Sequence, residues 1–137
     1  MIVSTKGRYA LRVIIDLAIN GNDEYISLKD ISERSLISMK YLESIVSNLN
    51  KHGLLDSLRG KKGGYKLNRP TGEYTVGMIL KASEGSLAPV ACVNCGDVQC
   101  NEAHDCITLP MWKKLESVID RYLESVTIED LINGKEE

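Results

Sequence analysis

Four cysteines, Cys92, Cys95, Cys100 and Cys106, fall within the fifteen residues CVNCGDVQCNEAHDC, and the chain has no others. The spacing is C-x2-C-x4-C-x5-C, with His104 in the same stretch. The segment is polar and contains Gly96, so it reads as a loop, where thiols are not needed for packing. Clustered thiolates are soft ligands and select zinc or iron-sulfur clusters. A structural zinc site usually joins two close pairs, whereas only Cys92 and Cys95 are close here. The common ferredoxin spacings differ as well. The spacing therefore points to a soft-metal site and leaves the metal open. A thioredoxin-type redox pair at Cys92–Cys95 needs its first cysteine at a helix N-terminus after a strand, and the loop offers neither. Uncoordinated reduced thiols in a surface loop are the plain alternative.

The chain around this loop has 137 residues, which suits one domain with an appendage. A hydrophobic content of 43% and a charged content of 26% place it among folded proteins rather than disordered ones. No apolar run approaches the length that spans a bilayer. The start, MIVSTKGRYALRVII, lacks the apolar core and cleavage site of a signal peptide. A cytoplasmic protein with no membrane partner is expected. A reducing cytosol disfavours structural disulfides and strengthens the metal or redox reading of the thiols. Residues 1–70 carry 12 Lys+Arg against 7 Asp+Glu, and residues 71–137 carry 5 against 12. A net of +5 in front and -7 behind suggests two jobs, although scattered surface charge is the bland account.

The basic half must position its charges. Ser4 and Thr5 can cap a helix running to about Asn20, with Ala10, Val13, Ile14, Leu17 and Ala18 on one apolar face. The run GND at 21–23 ends it. Ser27 with Asp30 three residues on is close to a capping box and opens a short second helix. After a turn over 35–38, Ser38 opens a third helix that reaches about His52. Leu42, Ile45, Val46 and Leu49 form its buried face; Lys40, Glu43, Ser44, Ser47 and Lys51 form the other. Two helices joined by a tight turn match a helix-turn-helix, whose second helix is sized for a DNA major groove.

The segment LLDSLRGKKGGYKLNRP, 54–70, reads as strand, glycine-rich turn and strand. Arg59, Lys61 and Lys62 crowd its tip beside Gly63, with Lys66 and Arg69 following. Like charges at a hairpin end do not stabilise it. Contact with phosphate explains them, because Lys and Arg release counterions condensed on nucleic acid. Three helices and a basic hairpin make a winged helix-turn-helix, and an ordinary hairpin with a soluble tip is the competing account.

The back half reads as a fourth helix over 73–85, with Val76, Ile79 and Leu80 inward and Gly85 as its stop. After the cysteine loop, Pro110 suits the first turn of a long helix. Trp112, Leu115, Ile119, Tyr122 and Val126 recur at 3, 4, 3 and 4 residues, and Val118 and Leu123 widen the stripe. That is a seam for another helix, supplied by a second copy or by the chain's own domain. TIEDLIN, 127–133, is a short terminal helix capped by Thr127. The expected fold class is mainly α with a small β-hairpin. A winged helix-turn-helix domain spans 1–85, the cysteine-rich loop 86–109, and the dimerisation helix with a short last helix 110–133.

The stretches STKGRYAL, ISLKDISER, ISMKYLESIVSNLNKHGLL, SLRGKKGGYKL and TVGMILKASEG, with TIEDLIN at the end, closely resemble one family of bacterial transcription factors. That family includes the iron-sulfur cluster regulator IscR, the cysteine-metabolism repressor CymR and the nitric-oxide sensor NsrR. The resemblance covers essentially the whole chain. It implies a homodimer that binds operator DNA and is not an enzyme. In cluster-binding members, three cysteines in the loop before the dimer helix hold an iron-sulfur cluster, which carries over to Cys92, Cys100 and Cys106, with 2Fe-2S as the first expectation. The first interval is longer by two residues than in IscR, and Cys95 is extra. Where IscR uses a histidine three residues after the last cysteine, this chain has Leu109. Cys95 and His104 are then the local candidates for the fourth ligand. NsrR-like members draw a ligand from the first helix, where this chain has Arg8. By position, the DNA-reading residues are Met39, Lys40, Tyr41, Glu43 and Ser44 on the third helix and Arg59, Lys61, Lys62 and Gly63 in the wing. Glu43 would repel phosphate and accept from cytosine N4, favouring one class of site over another.

The function expected is a DNA-binding regulator, a repressor of iron-sulfur cluster biogenesis or related sulfur metabolism genes, that senses cluster status. The alternative is a cysteine-metabolism or redox/zinc-responsive regulator on the same scaffold without a functional cluster. An enzyme is disfavoured by two His, no nucleophile–base constellation and no glycine-rich nucleotide loop. A purely partner-binding protein would use the acidic half.

Overall fold

Serine and threonine caps set most of the helix starts. In a computed structural model that describes residues 3–90 and 106–134, the order is α1 (Thr5–Asn20), α2 (Leu28–Ser35), α3 (Met39–Lys51), β1 (Leu55–Leu58), β2 (Gly64–Leu67), a 3-10 turn (Thr71–Glu73), α4 (Val76–Glu84), α5 (Leu109–Ser125) and α6 (Ile128–Ile132). Ser4, Ser27, Ser38 and Thr75 each accept a backbone N–H of the first turn that would otherwise lack a partner. At α6 the reciprocal bond is made too: Asp130 accepts from the Thr127 N–H at 3.1 Å.

One core gathers the apolar faces of α1 to α4. Ala10, Val13, Ile14, Ile31, Leu42, Ile45, Val46, Leu49, Tyr74, Ile79 and Ile128 are fully buried in it. The stripe expected on the third helix, Leu42, Ile45, Val46 and Leu49, is thus its inward face. A second, smaller cluster joins Val76 and Leu80 of α4 to Leu87 and Val126.

The hairpin is antiparallel, with Leu55 opposite Leu67 and Leu58 opposite Gly64. It is braced from the side: Ile26 and Tyr65 exchange both backbone hydrogen bonds at 2.9 Å. Gly64 makes this possible, because its φ is 153° and a Cβ there would strike the Ile26 carbonyl.

Two boundaries differ from the periodicity. The fourth helix, expected from 73, begins at Val76, because Tyr74 and Thr75 are extended and Thr75 pairs with Thr127 in an antiparallel bridge. Val126, placed by spacing on the α5 seam, is the extended residue that ends α5, and it is buried in the second cluster. The chain turns there and returns α6 to the main core through Ile128.

Candidate nucleic-acid interface

Four polar ties hold α2 to α1, close the turn after α2 and hold α3 to α4. Arg34 grips Asp16 of α1 with two bonds of 2.8 Å, and the hydrogen bond to Asp16 raises the Arg34 pKa further above its ordinary value. Arg12 donates to the Ser35 carbonyl at 2.8 Å, just before the turn. Ser32 donates to the Ile37 carbonyl across the turn at 2.6 Å. Asn48 of α3 donates to the Ala82 carbonyl of α4 at 2.7 Å. The turn holds Leu36 at φ 61°, a left-handed conformation that glycine usually supplies in this motif.

With its apolar stripe buried, α3 turns the rest outward. Lys40, Glu43 and Ser44 are exposed, as are Met39 and Ser47. Tyr41 is half-buried: it packs against the core and meets Tyr9 edge-on. The Arg12 guanidinium lies over the Tyr9 ring, 5.3 Å from its centre.

The wing tip turns at Gly60, whose φ is 113°, with Gly63 donating to the Gly60 carbonyl at 3.0 Å. Gly63 is half-buried because its backbone lies against Leu58, leaving no room for a Cβ. Arg59, Lys61 and Lys62 are exposed, and none forms an ion pair with a described residue. Lys66 and Arg69 are placed differently from the tip charges. The Lys66 ammonium lies 4.9 Å from the Tyr25 ring centre. Arg69 donates to the Gly53 carbonyl at 2.8 Å and to Asn68 at 3.0 Å. Both are half-buried and brace the wing root.

That root closes on Tyr74, which no local sequence signal marks. Its hydroxyl donates to the Leu54 carbonyl at 2.7 Å and accepts from the Asn68 N–H at 3.0 Å. Burial pushes the phenol pKa up, so it keeps the proton it donates.

Of the cysteine set, Cys106 is described. It is half-buried, with its Sγ 3.4 Å from Thr108 Oγ1, at the approach to α5. Cys92, Cys95, Cys100 and His104 lie outside the described residues. A thiol at that approach, with three more on the same short segment, suits iron or zinc as a donor set. α5 itself buries no side chain. Met111, Leu115, Val118 and Tyr122 are exposed, while Trp112, Ile119 and Leu123 are half-buried. It is held to α4 by Glu124, which accepts from Thr75 Oγ1 at 2.9 Å and from Lys81 at 3.0 Å, and by Asp120, which also pairs with Lys81.

A helix-turn-helix with a polar outer face on its second helix, followed by a basic hairpin, defines a winged helix-turn-helix protein of the DNA-binding type. Its sequence matches the Rrf2 family, described as iron-dependent transcriptional regulators, over residues 3–134, and the chain belongs to that family. It is 38% identical to the HTH-type transcriptional regulator IscR of Pectobacterium atrosepticum over 136 residues, which is 99% of this chain and 82% of that one. Among solved structures, CymR, the global cysteine regulator of B. subtilis, superposes with a TM-score of 0.75 at 34% identity, covering 96% of this chain and 95% of that one. IscR of T. potens gives the same TM-score, 0.75, at 34% identity over 99% and 89% of the two chains. The protein is therefore a transcriptional regulator and not an enzyme, and DNA binding follows from the family. No helix among the described residues is long and apolar enough to cross a membrane.

Proposed function

We propose that this chain is a cytoplasmic homodimeric repressor of iron-sulfur cluster biogenesis or related sulfur metabolism genes, which binds operator DNA according to whether an iron-sulfur cluster is held by its cysteine loop. Lys40, Tyr41, Glu43 and Ser44 read the major groove, and Arg59, Lys61, Lys62 and the Gly63 turn meet phosphate or the minor groove. The exposed face of α5 pairs with α5 of a second copy, which sets two recognition helices at a fixed spacing. Cys92, Cys100 and Cys106 hold the cluster, with Cys95 or His104 supplying the remaining ligand; 2Fe-2S is the expected form.

The observation that carries this reading is position. Every thiol lies on the segment between α4 and α5, and Cys106 stands three residues before α5 begins. When bound, a cluster supplies iron–thiolate bonds that draw separate points of that segment together. The segment's ends are Leu87, buried beside α4, and Cys106, beside α5. A change in its span acts on the pose of α5, and so on the spacing of the two DNA-reading helices. A coupling of about 1–3 kcal/mol changes operator affinity about 5–150-fold. The test is operator affinity under anaerobic conditions for protein with measured iron and sulfide, before and after stripping. A ratio of one for every site class rejects cluster sensing and leaves DNA binding intact.

The second reading is a cysteine-metabolism or redox/zinc-responsive regulator on this scaffold. It is favoured by the equal likeness to CymR and by the cysteine spacing, longer in its first interval than in IscR. Zinc without acid-labile sulfide in freshly isolated protein selects it.

A further inference from the structure

The step from Tyr74 to Thr75 touches three parts of the molecule at once. The Tyr74 hydroxyl joins the residue before β1 to the residue after β2, through the Leu54 carbonyl and the Asn68 N–H. Asn68 and Arg69 add bonds of 2.8 Å each to the Gly53 carbonyl. The Tyr74 carbonyl accepts from Ile128 N–H at 2.9 Å, and Val76 N–H donates to the Val126 carbonyl at 2.9 Å, so this backbone hangs from the corner between α5 and α6. The Thr75 hydroxyl donates to Glu124 of α5. Tyr74 is fully buried between these contacts.

We propose that Tyr74 is a positioning residue for DNA binding: its hydroxyl closes the root of the wing while its backbone is fixed to the α5–α6 corner, so that the pose of the wing follows the pose of α5. This rests on the reading of α3 and the wing as the DNA grip. The Ile26–Tyr65 bonds brace the second strand from the side, and the fixing of the two chain ends at the root limits the tilt that remains. With strands of four residues, about 13 Å long, a tilt of about 10° at the root moves the tip by about 2 Å. A displacement of that size breaks a lysine–phosphate contact. Pinning both ends to one hydroxyl narrows that tilt further, and the same residue carries the displacement of α5 to Arg59, Lys61 and Lys62.

The test is a double-mutant cycle on a duplex that the wild-type chain selects from a randomised pool. The variants are Tyr74→Phe, Lys61→Ala with Lys62→Ala, and their combination. Thermal melting verifies that each is folded. Tyr74→Phe is expected to weaken binding about fivefold, an effect within the usual cost of a lost buried hydrogen bond, and to flatten the salt dependence. The lysine replacements should then cost less in the Tyr74→Phe background than in wild type. Hydrogen exchange at the Asn68 amide should rise in Tyr74→Phe and, to a smaller degree, in Glu124→Ala, which removes the Thr75 and Lys81 side-chain bonds to this residue of α5, loosens its hold on this step and leaves the wing's own bonds in place. Should Tyr74→Phe fail to fold, Asn68→Ala, which removes the side-chain bonds to Gly53 and to the Tyr74 hydroxyl but keeps the amide bond, takes its place in the cycle with a smaller effect in the same direction expected. Independent costs in the cycle overturn the proposal, and unchanged Asn68 exchange in Glu124→Ala overturns its α5 arm. If wild type binds no duplex, or the lysine replacements change nothing, the DNA-grip reading itself has failed.

Discussion

The ring of Tyr9 on α1 meets Tyr41 of α3 edge-on, with centroids 5.6 Å apart and planes at 70°. Arg12, whose guanidinium also holds the Ser35 carbonyl, lies over Tyr9. A candidate DNA-reading side chain on α3 is therefore fixed from α1. Tyr9→Leu keeps apolar bulk and removes the edge contact. It should cost about 0.5–1.5 kcal/mol in stability, the usual worth of such a pair. Operator binding should fall several-fold as Tyr41 gains freedom, read by denaturant melts and DNA titration.

Under the proposed function, the wing charges act through phosphate. Replacing Lys61 and Lys62 by Ala should weaken all duplexes alike, and each lysine–phosphate pair removed should lower the salt slope by about 0.9. Glu43→Ala should behave oppositely. Without the carboxylate, phosphate repulsion falls, so non-specific binding tightens. Discrimination between site classes shrinks by about 1–3 kcal/mol if Glu43 accepts from a cytosine. Titrations of one cognate and one scrambled duplex separate these behaviours.

Val118 lies in the middle of α5 and is 47% exposed. Val118→Asp should leave the protomer's own packing within about 0.5 kcal/mol, as exposed substitutions do. It should convert a dimer to a monomer by sedimentation, and operator affinity should drop with it. A monomeric wild type would refute the pairing seam.

Lys81 ties α4 to α5. Its hydrogen bond to Asp120 raises its pKa, opposed by partial burial and helped by Glu124. A raised folded-state pKa means that the native protein binds more protons than the unfolded chain above the ordinary lysine value. Stability from this latch is complete below that value and is lost as pH climbs through the folded pKa. The pair is well exposed, so Lys81→Gln should cost at most about 1 kcal/mol at neutral pH. The difference from wild type should vanish in strongly alkaline melts.

Leu36 is 91% exposed and sits at φ 61°. The left-handed conformation costs a side chain about 1–2 kcal/mol. Glycine relieves this but adds about 0.4–1 kcal/mol of unfolded-state freedom. Leu36→Gly should therefore stabilise the protein by about 0.5–1 kcal/mol in thermal melts.

What could be read in advance was what lies close along the chain. The caps at Ser4, Ser27, Ser38 and Thr127, the stripe from Leu42 to Leu49 and the glycine-rich turn each rest on residues within one turn or hairpin, and all are found where expected. The start of α4 was legible only to within three residues, because its real limit is the bridge from Thr75 to Thr127, more than fifty positions away. Tyr74 was hidden as well, because its hydroxyl partners, Leu54 and Asn68, flank the hairpin and become neighbours only when the wing root closes. Arg69 looks like a phosphate ligand by type, and only the folded root shows it occupied by Gly53. Of the candidate ligands, Cys106 alone falls among the described residues, so the cysteine constellation rests on its spacing and on the family likeness.

A lone two-stranded ribbon leaves unsatisfied amides and carbonyls along both flanks, an invitation to cross-chain stacking. Ile26 occupies that flank at Tyr65 in the middle of the second strand, and charged Asp56 sits on the first. The wing can therefore protrude far enough to be useful without becoming a seed for aggregates.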